Sequence, residues 1–108
     1  MLEPNLSSVF AALADPTRLA IVERLLAEGE HSAGEIAEPF AISKPAVSKH
    51  LKVLESAGLI ERRVERQWRV CRIRPEAIKM MDDWMERYRT FWEGSFDRLE
   101  KLLNKPDH

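Results

Sequence analysis

Residues 42–58 read ISKPAVSKHLKVLESAG, and this stretch holds a start signal, a period and a stop. Ser43 is a side-chain acceptor placed just ahead of the periodic apolar residues, which is the chemistry of a helix N-cap. Pro45 falls in the first turn, where a missing amide hydrogen goes unnoticed. Val47, Leu51 and Leu54 recur at steps of four and three, so they share one face. Gly58 can adopt the left-handed conformation that ends a helix. The spacing predicts a helix from Ser43 to Gly58 with an apolar inner face, and it turns Lys44, Ser48, Lys49 and Lys52 outward.

Upstream, Ser32 followed three residues later by Glu35 fits a capping box, and it opens a short helix containing Ile36 that Pro39 must disturb. Phe40-Ala41-Ile42 links this helix to the next. Nearer the N-terminus, Asn5 or Ser7 can cap a first helix with Val9, Phe10 and Leu13 on one face. Asp15-Pro16 then restarts the chain as a second helix, to about Glu28, with Leu19, Val22, Leu25 and Leu26 at helical spacing and Gly29 at its end.

Downstream the period changes. Leu59 to Glu65 and Trp68 to Arg74 are rich in β-branched, aromatic and Arg residues, which predicts a two-stranded hairpin around Arg66-Gln67. With no Gly at the tip, a loop of about three to five residues is expected. Arg69, Cys71 and Ile73 share one face of the second strand; Trp68, Val70, Arg72 and Arg74 share the other. Pro75 opens a long helix whose stripe runs through Ile78, Met81, Met85, Tyr88, Trp92, Leu99 and Leu102, widened by Trp84, Phe91 and Phe96. At about 1.5 Å per residue it reaches roughly 40 Å, more than a small domain needs to cover its core. The surplus apolar surface is available to a second subunit. Gly94 beside Ser95 marks either a kink or the close approach of a partner helix.

Charge is segregated along the chain. From Lys44 to Arg74 there are nine basic residues against Glu55, Glu61 and Glu65, a segment of +6, although the whole chain of 108 residues is at −1. That asymmetry suits a face that meets a polyanion on a body that must otherwise stay soluble. One Cys rules out an internal disulfide or a Cys-rich zinc site. The longest apolar run is Val9 to Ala14, far short of the roughly 20 residues of a membrane span, and no Lys or Arg precedes Arg18 to begin a signal peptide. A cytoplasmic protein with no membrane partner is expected.

Two short helices joined by a tight linker, the second studded with outward Lys and Ser and followed at once by a basic hairpin, form the layout of a winged helix-turn-helix. The expected fold is mainly α with a small β-hairpin, in a single domain over residues 1–108: helix-turn-helix at about 32–58, wing at about 59–74, and a long C-terminal dimerisation helix at about 75–103. The second helix of the motif fits a DNA major groove with its positive dipole end toward phosphate, while wing arginines reach the flanking backbone or a narrow minor groove.

The stretches Ala14-Asp15-Pro16-Thr17-Arg18, Glu35-Ile36-Ala37, Ile42 to Leu54 and Ala57-Gly58-Leu59-Ile60 resemble the ArsR/SmtB family of bacterial transcriptional repressors. Tyr88-Arg89-Thr90-Phe91-Trp92-Glu93 with Leu99 resembles the SdpR-like branch, which lacks the metal boxes. The resemblance implies a homodimer built from the first and last helices, bound to an inverted-repeat promoter operator of double-stranded DNA and acting by repression. It puts Ser43, Lys44, Pro45, Ser48 and Lys49 at base- or phosphate-contacting positions, with Arg62, Arg63, Arg66, Gln67 and Arg69 in the wing. It puts Val9, Phe10, Leu13, Met81, Trp84, Met85, Tyr88, Phe91, Trp92, Phe96 and Leu99 on the dimerising helices. Lys44 stands where many relatives have Gln, so guanine or phosphate, rather than adenine, is its expected contact.

Several chemistries fit less well. The third helix has no Cys and the last no His, and His31, His50 and His108 are scattered, so no metal or other cofactor is expected. Asp82, Asp83 and Glu86 read as a solvated helix face rather than a hard-cation site. Cys71 reads as a small buried hydrophobe, with redox sensing as the alternative. His50 is open to a packing role or a phosphate contact. The aromatic stripe reads as packing rather than a small-molecule pocket, and the sequence names no effector. There is no nucleophile motif, phosphate-cradling loop or HExxH, so an enzyme is not expected. A protein-interaction module is the competing class, and it would prefer aromatic anchors where Lys44, Ser48 and Lys49 stand.

Overall fold

A computed structural model describes residues 4–104. Within them the order is α1 (Leu6–Leu13), α2 (Pro16–Glu28), β1 (His31–Ser32), α3 (Ala33–Ala37), α4 (Lys44–Ser56), β2 (Ile60–Glu65), β3 (Trp68–Ile73) and α5 (Pro75–Leu103). The first four helices start on side-chain acceptors, which satisfy amides that have no partner inside the helix. Asn5 Oδ1 accepts from the Ser8 amide at 2.9 Å, so Asn5 rather than Ser7 caps α1. Asp15 Oδ2 accepts from the Thr17 and Arg18 amides, both at 3.0 Å. Ser32 and Glu35 form both bonds of the capping box, and Ser43 Oγ accepts from the Ala46 amide at 3.3 Å. α5 begins on Pro75 with no side-chain cap.

The core gathers Val9 and Ala12 of α1, Ile21, Val22 and Leu25 of α2, Ile36 of α3, Val47, Leu51 and Leu54 of α4, and Leu59, Ile60, Cys71 and Ala77. α2 departs from expectation here: Leu19 and Leu26 are exposed, and Ile21 is fully buried. Its buried face is set by the neighbours it meets, α1, α4 and β3, and that face is centred on residues 21, 22 and 25.

The wing differs from the expected two-stranded hairpin in two respects. The sheet has three antiparallel strands in the order β1-β3-β2, with His31 opposite Cys71 and Ser32 opposite Val70. Two residues are too few to show a strand period, so β1 is invisible in sequence. The β2–β3 pairing closes at Glu65 opposite Trp68, which leaves a two-residue loop, Arg66-Gln67, instead of three to five. Arg66 itself adopts φ 59, a left-handed conformation that costs a non-glycine residue about 1 kcal/mol. Six paired positions from Ile60–Ile73 to Glu65–Trp68 fix the register, and the loop conforms to it.

At the junction of α4 and the wing, Gly58 has φ 81, and a Cβ there would lie 2.9 Å from Pro4 Cβ. Glycine is needed twice over, for backbone conformation and for the close approach of the N-terminal segment.

α5 runs unbroken through Gly94 for 29 residues. Ala77 is its one fully buried position among the described residues. The Cα radius of gyration is 18.9 Å, against the roughly 13 Å of a compact chain near this size, and the longest dimension is 72 Å. The helix projects well past the body.

Candidate nucleic-acid interface

α4 is locked to the core by Val47, Leu51 and Leu54, so the direction of its other side chains is fixed. Ser43, Lys44, Pro45, Ser48, Lys49 and Lys52 are all exposed. His50 turns the other way. It is half-buried, and its Nδ1 lies 3.4 Å from Arg18 Nη1 and 3.9 Å from Asp15 Oδ2. The Arg18 amide, helped by the guanidinium of Arg18 and by His50, holds the Asp15 carboxyl below its usual range.

The nine cations of the basic segment are not equivalent. Arg62 Nη2 donates to Glu55 Oε1 at 3.0 Å and fastens β2 to α4. Arg63 bonds Glu30, with Nη2 to Oε1 at 2.9 Å, and also Glu65 at 3.1 Å. These bonds lower the Glu30 carboxyl and raise the Arg63 guanidinium, Glu30 contributing most. Arg72 pairs across the strands with Glu61, and Arg74 donates to Glu76 at 3.2 Å. The five that remain, Lys44, Lys49, Lys52, Arg66 and Arg69, make no ion pair with any described residue. Arg66, Gln67 and Arg69 are exposed at the wing tip. Within the basic segment, positive charge not already neutralised is therefore concentrated on the outer face of α4 and at the tip of the wing. Arg62 and Arg63 stand among the expected contacts, yet their guanidinium groups are occupied in holding the wing in place.

The apolar residues of the outer helices divide similarly. Val9 is completely buried in the protomer's own core and offers no surface to a partner, a correction to its expected place at an interface. Leu13 and Met81 also pack against that core, partly buried. Phe10 of α1 meets Trp84 of α5 edge to face with centroids 5.3 Å apart, and Trp84 meets Tyr88 at 4.6 Å. Past this contact Met85, Tyr88, Phe91, Trp92, Phe96 and Leu99 are exposed.

Cys71 has no exposed surface, and burial pushes its thiol upward, away from the thiolate that redox sensing requires. Among the described residues no group of three or more His, Cys, Asp or Glu is placed to hold a metal ion. None of the described helices is long and apolar enough to cross a membrane.

Sequence reasoning read Asp15 as a cap and left Arg18 without a role. Arg18 Nε donates to the Ala12 carbonyl of α1 at 2.6 Å while its Nη1 faces His50 of α4. No local pattern gives a contact between residues 32 apart. The Arg63–Glu30 pair, 33 apart, was hidden for the same reason. The Arg72–Glu61 pair would have followed from the strand register.

A helix-turn-helix whose second helix shows a cationic outer face, backed by a three-stranded wing, defines the class of winged helix-turn-helix regulators. A family model described as a helix-turn-helix domain matches residues 13–63. The chain is 44% identical over 93 residues to the HTH-type transcriptional regulator Rv2034 of Mycobacterium tuberculosis, covering 86% of this chain and 83% of that one. It is 38% identical over 80 residues to the transcriptional repressor SdpR of Bacillus subtilis, covering 74% and 88%. The crystal structure of the ArsR family transcriptional regulator RHA00566 superposes with a TM-score of 0.73 at 34% identity, covering 81% of this chain and 94% of that one. The homodimeric winged helix-turn-helix DNA-binding domain of Mb0332 from Mycobacterium bovis gives a TM-score of 0.59 at 27% identity, covering 94% and 86%. The chain belongs to the ArsR family of winged helix-turn-helix transcriptional regulators.

Proposed function

We propose that the protein is a cytoplasmic homodimeric repressor that binds an inverted-repeat operator in double-stranded DNA and blocks transcription from it. The observation that carries this reading is the outer face of α4: Ser48 and three lysines, Lys44, Lys49 and Lys52, exposed and without an acidic partner among the described residues, on a helix fixed by its buried face. Ser43, Lys44, Pro45, Ser48 and Lys49 enter the major groove, with Lys52 beside them on the backbone. Arg66, Gln67 and Arg69 reach the flanking minor groove or backbone. The functional parts are the helix-turn-helix at 32–58, the wing at 59–74 and the dimerising helix at 75–103, all in one domain.

Two such faces are needed to read an inverted repeat, and the exposed stripe from Met85 to Leu99 supports a second copy against α5. The solved relative from Mycobacterium bovis, described as homodimeric, supports the same arrangement. Nothing in this reading requires catalysis, a metal or another cofactor. The interaction-module alternative loses ground because no aromatic anchor stands among the α4 residues from Ser43 to Lys52.

The test is selection of bound duplexes from a random library by the purified protein at near-physiological salt, followed by affinity against salt on the winner. An enriched inverted repeat is expected, with half-site centres about one helical turn apart or a multiple of it. Affinity should fall steeply with salt, by a log–log slope of about −0.9 per phosphate contacted. Weak binding with no enriched sequence overturns the reading.

A further inference from the structure

The interface described so far consists of groups that face outward, yet a partly buried side chain also ties the recognition helix to the first two helices. Arg18, on the first turn of α2, reaches two other helices at once. Its Nε donates to the carbonyl of Ala12 at 2.6 Å, one of the last carbonyls of α1, which have no partner inside that helix. Its Nη1 lies 3.4 Å from His50 Nδ1, in the middle of α4. The backbone of the same residue is fixed as well, since its amide donates to Asp15 Oδ2 at 3.0 Å. α1 carries no basic residue in its own last turn, so the Arg18 charge also sits at the negative end of that helix's dipole.

We propose that Arg18 is a positioning residue for DNA recognition: by bridging the end of α1 to His50 it sets the angle of α4 relative to the helices that join two protomers, and so fixes the distance between the two recognition helices. The proposal rests on the homodimeric DNA-binding reading. A dimer meets a target of fixed half-site spacing, so any freedom between α4 and α1 is paid for in the bound state. Apolar packing is non-directional, so it fixes which face of α4 points outward but leaves some tilt of the helix axis. A planar guanidinium that meets one group on each of two helices, the Ala12 carbonyl and the His50 ring, removes it.

The test compares wild type, Arg18→Met and Arg18→Lys on the inverted repeat that wild type selects from the random duplex library, and on versions of that repeat with the half-site spacing changed by one and two base pairs. Wild type should show a sharp spacing optimum. In both variants the optimum should flatten, with affinity for the selected repeat down about tenfold, while the slope against salt and the dimeric state by light scattering stay as in wild type. Spacing preference is a ratio of affinities within one preparation, so partial unfolding of a variant does not imitate the effect. Full recovery by Arg18→Lys would overturn the proposal, since charge rather than the two-pronged reach would then matter. A salt slope lowered by about one in both variants would overturn it too, because Arg18 would then be a phosphate contact. An unchanged spacing optimum would do the same. If wild type itself enriches no repeat, the DNA reading has failed, and that result is separate from all of these.

Discussion

α4 and α5 are both amphipathic, and they use that property in opposite ways. α4 buries its apolar stripe of Val47, Leu51 and Leu54 in its own protomer and leaves lysines outside. α5 past Trp84 leaves the apolar stripe outside: Phe91 is 60% exposed, Trp92 53% and Phe96 62%. A helix that hides its apolar face has finished folding within one chain, and its exposed charges are free for a ligand. A helix that shows its apolar face has not, and what completes it is another surface of the same character. In the proposed assembly, α4 is the finished tool and α5 is the joint.

The largest expected effect falls on the joint. Trp92→Glu places a carboxylate where the aromatic stripe is widest, flanked by Phe91 at 5.7 Å and Phe96 at 6.2 Å between centroids. Losing an aromatic anchor and burying an unpaired charge should weaken association by about a hundredfold or more, roughly 3 kcal/mol. Light scattering across a concentration series checks this. A variant that stays dimeric at micromolar concentration breaks the contrast between the two helices.

Next comes the buried face of α4. Leu51 is completely buried, and Leu51→Ala removes it from the middle of the core, at a cost of about 3 kcal/mol in urea unfolding at fixed protein concentration. A loss below about 1 kcal/mol would mean that α4 is not held as the packing implies. A smaller effect is expected on its outer face. Lys49→Ala should leave folding intact and weaken binding to all duplexes alike, by about 1 kcal/mol, with the salt slope reduced by about one. A change in base preference instead would make Lys49 a base reader.

The helical half of the fold is legible in the sequence because its signals are local. Asp15-Pro16, the Ser32–Glu35 box, Ser43 with Pro45, and Gly58 each act within a few residues, and the structure uses every one of them. The wing and the site are less legible because their decisive facts are pairings between distant residues. Counting charges found the basic segment but not that Arg62, Arg63, Arg72 and Arg74 are occupied by acidic neighbours. Val9 shares its apolar face with Phe10 and Leu13, and only the placement of α1 shows that Val9 is spent on the protomer's own core while Phe10 stays exposed. Gly94 teaches the same point. The sequence there is open to a kink or to the close approach of a partner helix; α5 continues through it as helix, and among the described residues Arg98 Nη1 is the one side-chain atom within 4 Å of where a Cβ would stand, at 3.7 Å.

The smallest effects lie at the helix starts, where the DNA-reading half depends on side-chain caps and α5 does not. Ser43→Ala removes the acceptor for the Ala46 amide and should cost about 1 kcal/mol of stability, checked by thermal unfolding. Asp15 and Glu35 make the same dependence sensitive to acid. Asp15 is lowered chiefly by the Arg18 amide and Glu35 chiefly by the Ser32 amide, from ordinary values of 3.8 and 4.5. A carboxylate with a depressed folded value contributes its stability in full above its unfolded value and loses it as pH falls through the folded one. Stability should therefore hold down to about pH 4.5 and decline below it. Asp15→Asn keeps an oxygen that accepts both amides but cannot ionise, so it should be less stable than wild type at neutral pH and decline less steeply in acid. Parallel curves for the two proteins would show that the cap contributes through its geometry alone and not through its charge.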